Sequence, residues 1–112
     1  IPEDEAKDLY NRCTIPSPAR PLFQAATATF NTKSETAVNT ANETRGPLLI
    51  TAGQKDHIAP PVLSKGSFKK YSKSPAVTEF ISFENRGHSL AIDHGWKEVA
   101  AYSLEWLNKH GL

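Results

Sequence analysis

The pattern of apolar and polar positions changes character at Pro47. Pro47-Leu48-Leu49-Ile50-Thr51-Ala52-Gly53 is a compact apolar run ended by glycine, which predicts a strand covered on both faces, as inside a parallel sheet. A polar turn follows from Gln54 to Ala59, then a helix from about Val62 to Tyr71 in which Lys65, Lys69 and Lys73 recur every four residues as a solvated face. Val77-Thr78-Glu79-Phe80-Ile81-Ser82-Phe83 has the aromatic and β-branched density of a second strand. Beyond a glycine-bearing loop, Trp96, Val99, Ala100, Leu104 and Leu107 fall at the helical repeat, predicting a helix that buries this face and ends near Gly111.

Upstream of Pro47 the pattern is weaker. Residues 3 to 13 run from acidic to basic, the charge order that a helix dipole favours. Pro16, Pro18 and Pro21 interrupt the chain, and Pro21 to Phe30 reads as a second short helix with proline in its first turn. Residues 31 to 46 are polar and rich in Asn and Thr, the composition of a linker or surface loop. The chain therefore divides into a helical segment with linker, residues 1–46, and a βαβα unit, residues 47–112. The predicted class is α/β, because two strands joined by a helical crossover lie parallel with a right-handed connection.

Parallel strands end on one edge, and ligands and chemistry gather in the loops beyond that carboxyl edge. Asp56 lies three positions past Gly53 and His88 five past Phe83. If the strands are neighbours, both side chains project from adjacent loops, and a carboxylate can accept the imidazole Nδ1 proton, fix the tautomer and stabilise the imidazolium formed when Nε2 takes a proton. On local residues alone Asp56 serves equally as a turn-former in Gln-Lys-Asp-His. Ser89 within Gly87-His88-Ser89-Leu90-Ala91 is read as a neighbour of the base rather than a nucleophile, since Glu84-Asn85-Arg86 separate the strand from the glycine and no further strand follows to return an acid and a base. Asp56, His57, His88, Asp93 and His94 carry metal-ligand atoms, but no His-x3-His or cysteine pair supports a metal site. His57 is assigned to a solvent-facing turn, His94 to the entry of the last helix and His110 to its last turn.

Composition narrows the function classes. A formal net charge of +1 argues against nucleic acid or an anionic membrane surface as partner. No apolar run reaches the roughly 18 residues of a membrane span. A lone Cys13 excludes an internal disulfide and fits a cytoplasmic protein. Asn42-Glu43-Thr44 matches a glycosylation acceptor, relevant only to a secreted chain. With 38% hydrophobic residues, 112 positions make one domain with little apolar material to spare. The sequence opens on Ile1 and holds no methionine, from which a processed or trimmed part of a longer chain is expected.

Gly53-Gln54-Lys55-Asp56-His57-Ile58-Ala59-Pro60, followed after a helix and a strand by Gly87-His88-Ser89, resembles the C-terminal part of an α/β-hydrolase. The resemblance covers residues 47 to 110, while residues 18 to 30, PARPLFQAATATF, look like a cap segment of some members. It implies the C-terminal portion of a hydrolase sheet preceded by short cap helices, with Asp56 as the acid and His88 as the general base of a Ser-His-Asp-type triad. The family order is nucleophile, acid, histidine. No Gly-x-Ser-x-Gly elbow or oxyanion-hole motif precedes them here. The implied partner is thus the N-terminal part of the same hydrolase, the implied substrate small, apolar and ester-like, and no cofactor is implied. Haloalkane dehalogenases share this half of the pattern, which leaves the nucleophile open. The alternative class is a non-catalytic binding module of the same architecture, and unpaired strand edges would favour self-association.

Overall fold

The short apolar runs become the two strands of a parallel sheet. β1 (Leu48–Gly53) and β2 (Thr78–Phe83) pair in register from Leu48 opposite Thr78 to Gly53 opposite Phe83. The computed structural model describes residues 1–31 and 33–112. Among them, α1 (Glu3–Cys13), α2 (Arg20–Thr27), α3 (Pro61–Lys70) and α4 (Trp96–Lys109) complete a mixed α/β fold, with 3₁₀ turns at Ala28–Phe30 and Tyr71–Lys73. No helix among the described residues is long and apolar enough to cross a membrane.

Alternation along β2 decides which helix covers which face. Phe80 meets Phe68 of α3 at a ring separation of 6.1 Å. Phe83, three positions on, points to the opposite face and meets Tyr102 of α4 edge-to-face at 5.8 Å. The helices therefore sandwich the strand pair, and α4 runs back from the carboxyl edge toward Glu79, which accepts from Lys109 Nζ and pairs with His110 Nε2, each at 3.2 Å. His110 also stacks on Trp106 at 4.6 Å.

Local chemistry explains the helix limits. α1 places Glu3, Asp4 and Glu5 in its first turn and Arg12 in its last, where it bonds Asp8 one turn back at 2.9 Å. Pro21 and Pro61 lie in the first turns of α2 and α3, where a missing N–H costs nothing. The expected second helix from Pro21 to Phe30 divides, its last turn tightening into the 3₁₀ segment.

The linker is fastened to the amino end of the sheet by Arg45. Its Nη1 donates to the carbonyls of Gly46 and Val77 at 2.9 and 3.0 Å, its Nη2 donates to the Ala76 carbonyl and Thr78 Oγ1, and its guanidinium lies over the Tyr71 ring. Ser74 Oγ donates to the Asn42 carbonyl beside it.

Two expectations need correction. The terminal helix was expected to bury Trp96, Val99, Ala100, Leu104 and Leu107, yet Trp96, Ala100, Leu104 and Leu107 are exposed, Leu104 to 60%. The face turned to the sheet carries Val99, Tyr102, Ser103 and Trp106, about 90° away around the helix. Tyr and Trp present apolar bodies with polar tips, so this face reads as mixed in sequence although it packs. The strands, expected to be covered on both faces, are only partly buried over most of their length.

Among the described residues, the buried apolar ones are Leu9, Ala52, Phe83 and Trp106. The radius of gyration is 16.2 Å, against about 13 Å for a compact domain of this length. Accessible surface is 8674 Å², against roughly 6,100 Å² for a monomeric protein of this mass.

Close approach makes one glycine obligatory. A Cβ on Gly53 would lie 2.2 Å from the Gly87 carbonyl oxygen and 2.6 Å from that of Arg86, both backbone atoms. Gly66, inside α3, has open space around it. In urea unfolding, Gly53→Ala is expected to lower stability by about 1–3 kcal/mol or more, whereas Gly66→Ala raises it by about 0.5–1 kcal/mol.

Candidate active site

The parallel ladder continues past the ends of both strands. Gln54 N–H donates to the Phe83 carbonyl at 2.9 Å, and Lys55 N–H to the Arg86 carbonyl at 2.8 Å. Asn85, whose φ of 56° is left-handed, turns the second loop, a conformation asparagine tolerates. Its N–H donates to Gln54 Oε1 at 3.3 Å. The two loops are thus stitched to each other before either reaches its functional residue.

Asp56 and His88 meet at this edge. His88 Nδ1 lies 2.9 Å from Asp56 Oδ2 across 32 positions of sequence. Asp56 Oδ1 accepts from the N–H groups of Ile58 and Ala59, each at 2.8 Å. The turn-former and functional-acid readings therefore describe different oxygens of one carboxylate. The Asp56 side chain is 7% exposed and the His88 side chain 53%.

Burial is the largest single influence on Asp56 and pushes its carboxyl up. The hydrogen bonds from Ala59, His88 and Ile58 together outweigh it and hold the group below its ordinary value. Ionised at neutral pH, Asp56 offers only acceptors, so His88 Nδ1 carries the proton. In the neutral ring Nε2 then carries the lone pair, on an exposed side chain, and among the described residues no side chain hydrogen-bonds it. Such a pair can take a proton from a nucleophile at Nε2 and stabilise the resulting cation through Asp56.

The other candidate ligand residues lie away from this pair. His57 is exposed in the turn after Asp56. His94, just before α4, donates its backbone N–H to Glu5 Oε1 at 2.6 Å and bonds Glu5 Oε2 through Nδ1 at 2.8 Å, clasping α1 to the loop. Asp93 is 1% exposed and ion-paired with Arg86. Among the described residues no group of three His, Cys, Asp or Glu is placed to hold a metal ion. Ser89 uses its backbone carbonyl to accept from Ile92 and Asp93 N–H, forming the tight turn after His88.

Sequence reasoning passed over Arg86 and the Glu5–His94 clasp. Arg86 sits in a loop tripeptide of ordinary polar composition, and only its burial distinguishes it. The clasp joins residues 89 positions apart with no local signature.

Cavities of 310 and 520 Å³ lie near the other end of the sheet, the first beside Phe68, Tyr71 and Thr78, the second beside Val38, Arg45 and Leu48. The dyad opens on the surface, with exposed Ile58 in the turn that its own N–H closes on Asp56. No family model matches this chain, and comparison with curated proteins and with solved structures gives no match to either.

A carboxyl held below its ordinary value stabilises the fold above its unfolded pKa of 3.8, and that contribution disappears as pH falls through the lower folded value. Glu79, lowered chiefly by its hydrogen bond from Lys109, acts in the same sense. Thermal melts from pH 7 to pH 2.5 are expected to show wild type losing its advantage over Asp56→Asn below about pH 4. A constant gap across that range would contradict the assignment.

Proposed function

We propose that this chain is the C-terminal part of a serine-type α/β-hydrolase, supplying the acid Asp56 and the base His88 while another part of the enzyme supplies the nucleophile. The observation that carries the reading is the Asp56–His88 hydrogen bond at the carboxyl edge of a parallel strand pair, on an imidazole about half exposed and with no side-chain partner at Nε2 among the described residues. Four positions support it further: the acid follows an apolar strand and glycine, and the base follows a glycine ahead of a terminal helix, in the family order.

The surface agrees with a sheet that continues. Among the described residues each strand pairs along one edge only. The exposed stripe of Trp96, Ala100, Leu104 and Leu107 has the spacing of a helix face meant to be covered. The chain exposes roughly 2,600 Å² more than a monomeric protein of its mass, about what one partner contributes to a large obligate interface. The N-terminal part of the hydrolase is the partner this reading assigns to those edges and that stripe. α2, with exposed Leu22 and Phe23, serves as cap. Exposed Ile58 in the Asp56 turn favours a small apolar acyl ester as substrate.

The test is hydrolysis of a p-nitrophenyl ester by the chain completed with its N-terminal part. His88→Ala is expected to reduce kcat by about 10⁶-fold and Asp56→Asn by about 10⁴-fold, the scale of triad members that act as a unit. Undiminished turnover in His88→Ala overturns the assignment. A completed, folded wild type that binds the ester without turning it over would instead identify a binding module.

A further inference from the structure

One residue touches both the loop of the acid and the loop of the base. The Arg86 backbone carbonyl accepts from Lys55, the neighbour of Asp56. Its side chain reaches forward across the loop that carries His88. Nη1 donates to the Gly95 carbonyl at 2.7 Å and lies 3.3 Å from Glu98 Oε2. Nη2 donates to Asp93 Oδ1 and, at 3.4 Å, to the Leu90 carbonyl, and Nε lies 3.4 Å from Asp93 Oδ2. Asp93 Oδ1 also accepts from Gly95 N–H at 3.0 Å. Residues 86 to 95 thereby close as a ring around one guanidinium, and His88 sits on its rim.

The fit around that guanidinium is tight. Arg86 is 5% exposed, and a Cβ on Gly95 would lie 2.1 Å from Nη1. Desolvating two charges offsets most of their attraction, so a buried pair adds little to stability compared with well-packed apolar residues of similar volume. A planar fork with five donors does add direction, which an aliphatic pair cannot.

We propose that Arg86, locked by Asp93, is a positioning residue that holds the His88 imidazole at hydrogen-bond distance from Asp56. The proposal rests on the reading of that pair as acid and base. Arg86 touches neither substrate nor the reacting nitrogen, and it acts by fixing where the loop presents His88.

The test compares Arg86→Lys and the double variant Arg86→Met/Asp93→Leu in the completed hydrolase, using the imidazole Nδ1–H resonance of His88, thermal melting and steady-state ester kinetics. The double variant is expected to fold yet lose the downfield, slowly exchanging Nδ1–H signal. Arg86→Lys, which keeps the charge and loses the fork, is expected to broaden that signal and to lower kcat by about 100-fold with KM nearly unchanged. A folded double variant, or a folded Arg86→Lys, with wild-type signal and wild-type kcat overturns the proposal. If neither variant folds, hydrogen exchange of the wild type decides. Protection of the Lys55 and Gly95 amides comparable to the β1–β2 ladder supports the ring, and exchange at open-loop rates overturns it. If wild type shows the resonance and the variants lose it while no ester is hydrolysed, the positioning role stands and the hydrolase reading fails. If His88→Ala abolishes turnover and Arg86→Lys leaves it intact, the reverse holds.

Discussion

The two loops at the carboxyl edge approach so closely that position 53 has no room for a side chain, and every feature of the candidate site follows from that approach. A parallel pair fixes its strands about 4.8 Å apart. The backbone bonds from Gln54 to Phe83 and from Lys55 to Arg86 carry the same spacing two residues into the loops. By the time the chain reaches Asp56 and His88, the distance between them has been set by main-chain geometry, and the side chains need only choose rotamers that meet. A carboxylate with one oxygen tied to two amides of its own turn offers the other in a fixed direction. Hydrogen bonding within the loop and recognition between the loops are consequently served by one group.

Charge burial is concentrated at this edge, where Asp56, Arg86 and Asp93 are all buried, whereas the apolar core is small. Such a distribution is unusual for a domain held mainly by hydrophobic packing, because buried ionised groups require every donor and acceptor to be matched. Here they are matched: Arg86 meets two carboxylates and two carbonyls, and Asp56 meets two amides and an imidazole. Direction at the edge comes from polar contacts, while α3 and α4 hold the strands through a few aromatic ones.

The strands, the crossover helix and the terminal helix were legible because each carries a periodic signal or a sharp boundary in proline or glycine. The meeting of Asp56 and His88 was legible because topology alone puts the ends of two parallel neighbours side by side. The packed face of α4 was not. Leu104 and Leu107 carry the stronger aliphatic signal, and hydrophobicity by itself does not say whether a face meets this sheet or another surface. Tyr102 and Trp106, which make the contact, are divided between polar and apolar character. Arg86 was illegible for a related reason. An arginine in a loop is ordinarily solvated, and only the fold reveals that Gly95 leaves a space for its guanidinium.

The clasp between Glu5 and His94 spans most of the chain. Joining the ends of an 89-residue flexible chain costs roughly 4 kcal/mol in lost conformational freedom, whereas a partly exposed pair of this kind returns about 1 kcal/mol or less. The contact cannot gather the chain from a disordered state. It gains its full strength where the strands and the loop have already shortened the path between the two residues, so the clasp depends on the fold that it fastens.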